Sequence, residues 1–242
     1  MTALLFGATS DIAIALARCL AKKKYNLQLA GRDMEVMTDL RNDIEIQQHV
    51  RVSIYEFDAE KFDGHDAWYD QLQPKPDIVI LVFGYLGNHQ KALEDWKESK
   101  LILDTNYVGA VSILNSVAHD FENRKQGVIV GISSVAGDRG RMSNYLYGSA
   151  KAGLTSYLSG LRNRLYHSGV HVLTVMPGFV RTKMTEGLKF PPLVTAEPDQ
   201  VARKIMNAIE GKRNTLYVLP IWRLIMLVIR NIPESIFKKL KL

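Results

Sequence analysis

What most constrains the fold of this chain is an alternation along its whole length. Seven short apolar runs have strand length: Thr2–Phe6, Leu27–Ala30, Val52–Phe57, Asp77–Val82, Val128–Ile132, His171–Met176 and Leu216–Leu219. Between most of them, apolar residues recur at helical spacing, which predicts helices over Ile12–Lys24, Met34–Ile46, Leu101–Phe121, Asn144–His167 and Pro198–Glu210. Strands alternating with helices give an α/β fold: a single-domain, doubly wound, mostly parallel sheet of about seven strands flanked by helices. In such a sheet ligands bind beyond the carboxyl ends of the strands. The residues that follow the runs are therefore the candidate site: Gly7, Arg32, Asp58, Gly84, Ser134 and Pro177-Gly178. The connection from Arg181 to Glu197, carrying Gly187, Pro191 and Pro192, is too long for a turn and reads as a lid or binding loop.

The segment SSVAGDRGRMSNYLYGSAK, Ser133 to Lys151, concentrates proton-transfer groups. On a helix, Tyr147 and Lys151 lie one turn apart on one face. An ammonium there can favour the phenolate, and moving a Tyr from about 10 towards 7 needs roughly 4 kcal/mol. The same i,i+4 pair also occurs on any amphipathic helix, so the neighbouring signals decide. Gly7-Ala8-Thr9-Ser10-Asp11-Ile12 joins the first strand to the first helix, whose terminal amides can hold a pyrophosphate. Asp11 reads either as part of that turn or as a helix cap. Arg32 stands after the second strand, where a Rossmann-type fold places the adenosine ribose, and its cation suits a 2′-phosphate. The expected cofactor is thus NADP(H), with NAD(H) the alternative.

The composition bounds the rest. The 242 residues are 47% hydrophobic, enough for a substantial core, and the single Cys19 excludes an intrachain disulfide. The six histidines are scattered without ligand spacing, so no metal site is expected. A net charge of +6 admits anionic partners, but no Lys/Arg run with interleaved aromatics points to nucleic acid. The start, MTALLFG, lacks a signal peptide's basic region, so a cytoplasmic location is expected.

Taken together, from Thr2 to about Leu219, these motifs resemble the short-chain dehydrogenase/reductase family. The joint match is GATSDIA, Asp58-Ala59, Phe83-Gly84, Asn106, Ser134 thirteen residues before Tyr147, Lys151, and Pro177-Gly178-x-x-x-Thr182. The chain departs from the family where Asp11 and Ala13 replace glycines, and where Val82-Phe83-Gly84 stands for Asn-Asn-Ala-Gly. The resemblance implies that Tyr147 is the general acid, Lys151 holds the nicotinamide ribose and tunes Tyr147, Ser134 stabilises the alkoxide, and Asn106 anchors a water. It implies cofactor contacts from Gly7, Thr9, Ser10, Asp11, Ile12, Arg32, Asp58, Ala59, Phe83, Gly84, Asn106, Tyr147, Lys151, Pro177, Gly178, Val180 and Thr182, and a homodimer or homotetramer. Family spacing selects Ser134 over Ser133, and Tyr145 lacks a lysine four residues on.

A narrower resemblance, through TSD, FGYLG, AGDRGRMSNYLYGSAKAG and RNIPESIFKK, is to the reductase partner of decaprenylphosphoryl-ribose 2′-epimerase. It implies a lipid-linked keto-pentose as substrate, Arg139 and Arg141 as candidates for its phosphodiester, and NADH, against the Arg32 reading. The division expected is residues 1–220 as catalytic domain and 221–242 as a tail. That tail, IWRLIMLVIRNIPESIFKKLKL, is far too short to span a bilayer, but suits peripheral association at the inner membrane face, or else covers the core. Competing readings are a soluble ketoreductase for small or acyl-carrier ketones and a catalytically silent NADP-sensing protein.

Overall fold

The computed structural model describes residues 1–187 and 190–241. The chain begins β1 (Thr2–Phe6), α1 (Asp11–Lys22), β2 (Asn26–Gly31), α2 (Met34–Gln48), β3 (Val52–Glu56) and α3 (His65–Asp70). It continues β4 (Ile78–Leu81), α4 (His89–Glu94), α5 (Trp96–Leu103), α6 (Gly109–Arg124), β5 (Val128–Ile132), α7 (Tyr145–Leu165) and β6 (His171–Met176). The last elements are β7 (Phe179–Val180), β8 (Thr195–Ala196), α8 (Pro198–Glu210), β9 (Thr215–Tyr217), α9 (Pro220–Asn231) and α10 (Glu234–Phe237).

Seven strands pair in the order β3-β2-β1-β4-β5-β6-β9, all parallel. Successive side chains of a strand point to opposite faces. In β1, Ala3 and Leu5 therefore join the core under α1, α2 and α8, while Leu4 and Phe6 join the core under α3, α6 and α7. Both faces are covered, which is why β1 from Ala3 onward and all of β4 are apolar without interruption. Strand order reverses between β1 and β4, so the crevice where a doubly wound sheet binds ligand opens beside Gly7 and Gly84.

The expected helix at Leu101 begins earlier, at Trp96, and runs to Arg124 through a π-helical turn at Asp104–Val108. Such turns gather at functional sites, and this one carries Asn106. Trp96–Arg124 is also, among the described residues, the helix long and apolar enough to cross a membrane. Its Ile113, Leu114, Val117 and Phe121 are fully buried against the sheet, the environment of a core helix. The short α3 and α4 escape a sequence reading, because six residues are too few to show an apolar period. The paired β7 and β8 likewise lie at the ends of the long connection after Val180.

The tail packs on the fold through one face of α9. Trp222 and Met226 are buried with Val135, Met176, Phe179 and Val194. The opposite face leaves Leu224, Leu227 and Val228 each about 60% exposed. Leu242 lies outside the described residues.

Candidate active site

The cofactor-type residues line a cleft of about 440 Å³ at the switch point. Gly7 turns the chain from β1 into α1 with φ of +74°, and a Cβ there would fall 2.6 Å from the Phe83 amide nitrogen. Only glycine lets the two loops close on each other. Ser10 caps α1, accepting from the Ala13 amide at 3.3 Å. The Asp11 and Ile12 amides in the first turn have no carbonyl partner within the helix. Across the cleft lie Asp58 and Ala59, Asp58 accepting from the Glu60 amide at 3.1 Å. His65 holds the Asp58 carbonyl at 3.0 Å and stacks on Phe57. Arg32 is exposed on the rim and makes no ion pair among the described residues. Its neighbour Asp33 is occupied in capping α2 through the Val36 amide at 3.1 Å.

Of the residues expected to touch cofactor, Thr9, Ile12, Phe83, Gly84 and Thr182 line the same cleft, whereas Asn106, Tyr147, Lys151, Pro177, Gly178 and Val180 do not. Lys151 and Asn106 meet its inner end at Gly84. A Cβ on Gly84 would stand 2.9 Å from Asn106 Oδ1 and 3.3 Å from Lys151 Nζ. Asn106 is almost wholly buried; its amide donates to the Tyr85 and Ile102 carbonyls and its Oδ1 accepts from the Tyr85 N–H. Val180 is buried in the apolar core, and its carbonyl accepts from Thr185. Gly178 instead makes room for the tail, since a Cβ there would lie 1.9 Å from the Trp222 indole.

The two serines after β5 are separated by their partners. The Ser133 hydroxyl donates to the Lys151 carbonyl at 2.9 Å and pairs with Thr155 at 2.6 Å, pinning β5 to α7. Ser134 instead caps the turn that follows, accepting from the Ala136 amide at 3.1 Å, with Tyr147 beside it. Tyr145, the competing phenol, is exposed and packs edge-on against His89.

Three expectations are corrected. First, Lys151 does not draw the Tyr147 phenol towards neutrality. Its ammonium donates to the Ile132 carbonyl at 3.1 Å and stands 5.7 Å from the Tyr147 ring centre. Burial pushes Tyr147 up to about 12, the Ser134 hydroxyl opposing part of the rise, and burial pulls Lys151 down to about 8. A phenol held protonated is a proton donor, the role a carbonyl reduction requires. Second, Arg139 is not free to meet a substrate phosphate. Its guanidinium donates to the Ile229 and Ile232 carbonyls, pairs with Glu234 at 2.9 Å and lies 3.6 Å over the Phe237 ring. Third, Asp11 lines the cleft but does not cap α1: its carboxylate accepts from the Lys183 amide at 2.7 Å and tethers the long connection. Arg141 differs from Arg139. It is half-buried, its Nε has no partner among the described residues, and the nearby Asp138 carboxylate is taken by the Tyr217 hydroxyl at 2.9 Å.

Sequence reasoning missed Tyr85, Leu101, Thr105 and Met184 in the cleft wall. Glu98 fixes Tyr85 by accepting its hydroxyl at 2.8 Å, a contact for which no motif exists.

A parallel sheet with a glycine turn at its switch point and a Ser–Tyr–Lys–Asn group at the neighbouring strand ends defines a dinucleotide-type oxidoreductase fold. The short chain dehydrogenase family model matches residues 1–190, and the chain belongs to that family. It is similar, at 33% identity over 98% of this chain and 95% of the other, to an uncharacterised oxidoreductase of Mycobacterium tuberculosis. It is similar at 25% identity, over 88% of this chain and 93% of the other, to carbonyl reductase family member 4 of Xenopus tropicalis. Among solved structures, a short-chain dehydrogenase from Sphingobium yanoikuyae in complex with NADPH superposes with a TM-score of 0.83 at 20% identity, covering 97% of each chain. The protein is an oxidoreductase of the class acting on secondary alcohols and carbonyls.

Proposed function

We propose that the protein is an NADP(H)-dependent reductase of a ketone carried on a hydrophobic or lipid-linked molecule. The observation that carries this reading is the convergence on one sheet edge of the Gly7 turn, the exposed Arg32 and the Ser134–Tyr147–Lys151 group. The cleft suits a dinucleotide: the unpaired first-turn amides of α1 would hold the pyrophosphate, and Arg32 the 2′-phosphate. Bound there, NADPH would supply the hydride for the carbonyl carbon.

The chain's own residues handle the proton and the charge. Tyr147, kept protonated by burial, gives its hydroxyl proton to the carbonyl oxygen as that oxygen gains charge. Ser134 donates a hydrogen bond to the same oxygen, a donor preorganised at no cost during reaction. Lys151, beside Gly84 at the inner end of the cleft, would hold the nicotinamide ribose, and Asn106 fixes the loop that bounds the site at Tyr85. The product is the secondary alcohol.

The lipid-linked part rests on two observations. The outward face of α9 is apolar, with Leu224, Leu227 and Val228 exposed, and it is followed by Lys238, Lys239 and Lys241. That combination suits peripheral binding at the cytoplasmic face of a membrane. Arg141 is the remaining guanidinium for a substrate phosphate. Exposed Trp96, Tyr107 and Val108 on α5 and the turn between α5 and α6 support a homodimer or homotetramer. The alternatives are a soluble ketoreductase and an NADP-sensing protein without turnover. Purified protein is tested with NADPH and NADH against a polyprenyl-phosphate keto-pentose and simple ketones, following cofactor oxidation. Turnover restricted to the small ketones would remove the lipid-linked reading, and cofactor binding without any turnover would favour the sensor.

A further inference from the structure

We propose that Arg139 is a positioning residue: it latches the C-terminal segment 220–237 onto the stretch between Ser134 and Tyr147, making the tail an integral wall of the substrate side. This rests on the reductase reading and extends it to how the site is held together. The last carbonyls of a helix lack intrahelical donors. At the end of α9 the Ile229 carbonyl, reached by the Ile232 amide only at 3.4 Å, and the carbonyl of the capping Ile232 are met by Arg139 at 2.6 and 2.7 Å. The same guanidinium pairs with Glu234 and stacks on Phe237, so one side chain engages both α9 and α10. A cation also suits the negative end of the α9 dipole. Arg139 is itself only 15% exposed, and its planar fork satisfies contacts a lysine could not.

Two further ties make this a coupling rather than a local cap. Asp138, the preceding residue, accepts from Tyr217 just before α9. At the other end of α9, Trp222 fills the space over Gly178 and donates to the Val194 carbonyl at 2.9 Å. The tail is thus fastened to the segment after Ser134, to the Pro177–Gly178 turn and to the long connection. Releasing it frees these edges on the substrate side, while the Gly7–Arg32 end of the cleft keeps its contacts and the Asp11 carboxylate still holds the start of the long connection at the Lys183 amide.

The test uses the full chain. Arg139→Ala is expected to raise hydrogen exchange across 220–237 and the Ser134–Tyr147 segment. It is also expected to lower kcat/KM for the ketone by about ten- to a hundredfold, the usual consequence of a small misplacement, with the NADPH Kd unchanged. Added guanidinium ion should restore part of the loss, and Arg139→Lys should fall between. If Arg139→Ala does not fold, Glu234→Gln with Phe237→Ala probes the same latch from the tail and should move exchange and kcat/KM the same way. Variants that loosen 220–237 yet keep wild-type kcat/KM would overturn the latch, as would unchanged exchange there. Wild-type protein without turnover on any ketone would instead count against the reductase reading, and exchange of the Ser134–Tyr147 amides would then decide the latch alone.

Discussion

Replacing Arg32 by alanine tests how the cleft discriminates its cofactor. The guanidinium stands on the rim after β2, and the nearest carboxylate in sequence, Asp33, is committed to the Val36 amide. Its charge is therefore available to a 2′-phosphate. Two unit charges 4 Å apart interact by about 1 kcal/mol in water and about 4 kcal/mol at an effective dielectric of 20. An exposed rim residue belongs near the lower end, about 1–2.5 kcal/mol, which converts to about a 5- to 60-fold weaker NADPH Kd in Arg32→Ala. NADH, without the phosphate, should lose nothing. Titration of both cofactors against wild type and variant gives the ratio directly, and raising salt should erode the wild-type preference for NADPH. Equal wild-type affinities for NADPH and NADH, or equal losses for both in the variant, would refute the assignment.

Two further outcomes follow from the buried groups. Lys151 has its folded pKa lowered from 10.5 to about 8, so the unfolded chain binds more protons between those values. Its contribution to stability is full above about pH 10.5 and is lost as pH falls through about 8. Lys151→Met should remove that rising limb from denaturant-unfolding curves, and an unchanged pH profile would contradict the burial. Tyr147, raised from 10.0 to about 12, acts oppositely, its contribution fading as pH rises through about 12. Gly178→Ala would place a Cβ 1.9 Å from the Trp222 indole. Overpacking of that kind costs about 1–3 kcal/mol, so the melting temperature should fall by several degrees with a change in tryptophan fluorescence; an unchanged melting curve would contradict the fit of the tail.

The sheet was legible because each strand is a local apolar run, and Val128–Ile132, His171–Met176 and Pro198–Glu210 have the same bounds in the sequence reading and in the structure. Ser134, Tyr147 and Lys151 came from the family resemblance rather than from spacing alone, and the structure sets Ser134 beside Tyr147 with Lys151 on the same helix; their catalytic roles belong to the proposal. What failed depends on partners far away in the chain. Arg139 finds its carbonyls 90 and 93 residues on, and Asp11 its amide 172 residues on, distances at which no spacing rule operates. For Tyr147 and Lys151 the shared helix face holds but the expected electrostatics do not. The i,i+4 geometry is blind to the Ile132 carbonyl that occupies the ammonium, and to the burial of both groups. Tyr85 was missed because a loop side chain enters a cleft only through what holds it, here Glu98 and Asn106.

In the proposed reaction a protonated Tyr147 delivers the proton to the carbonyl oxygen. The direct measurement is single-turnover reduction by enzyme preloaded with NADPH, comparing wild type with Tyr147→Phe on whichever ketone the screen identifies. Loss of a positioned acid predicts a rate lower by about 10²–10⁴-fold with NADPH binding unchanged. A Tyr147→Phe enzyme that reduces the ketone at near the wild-type rate would contradict the account.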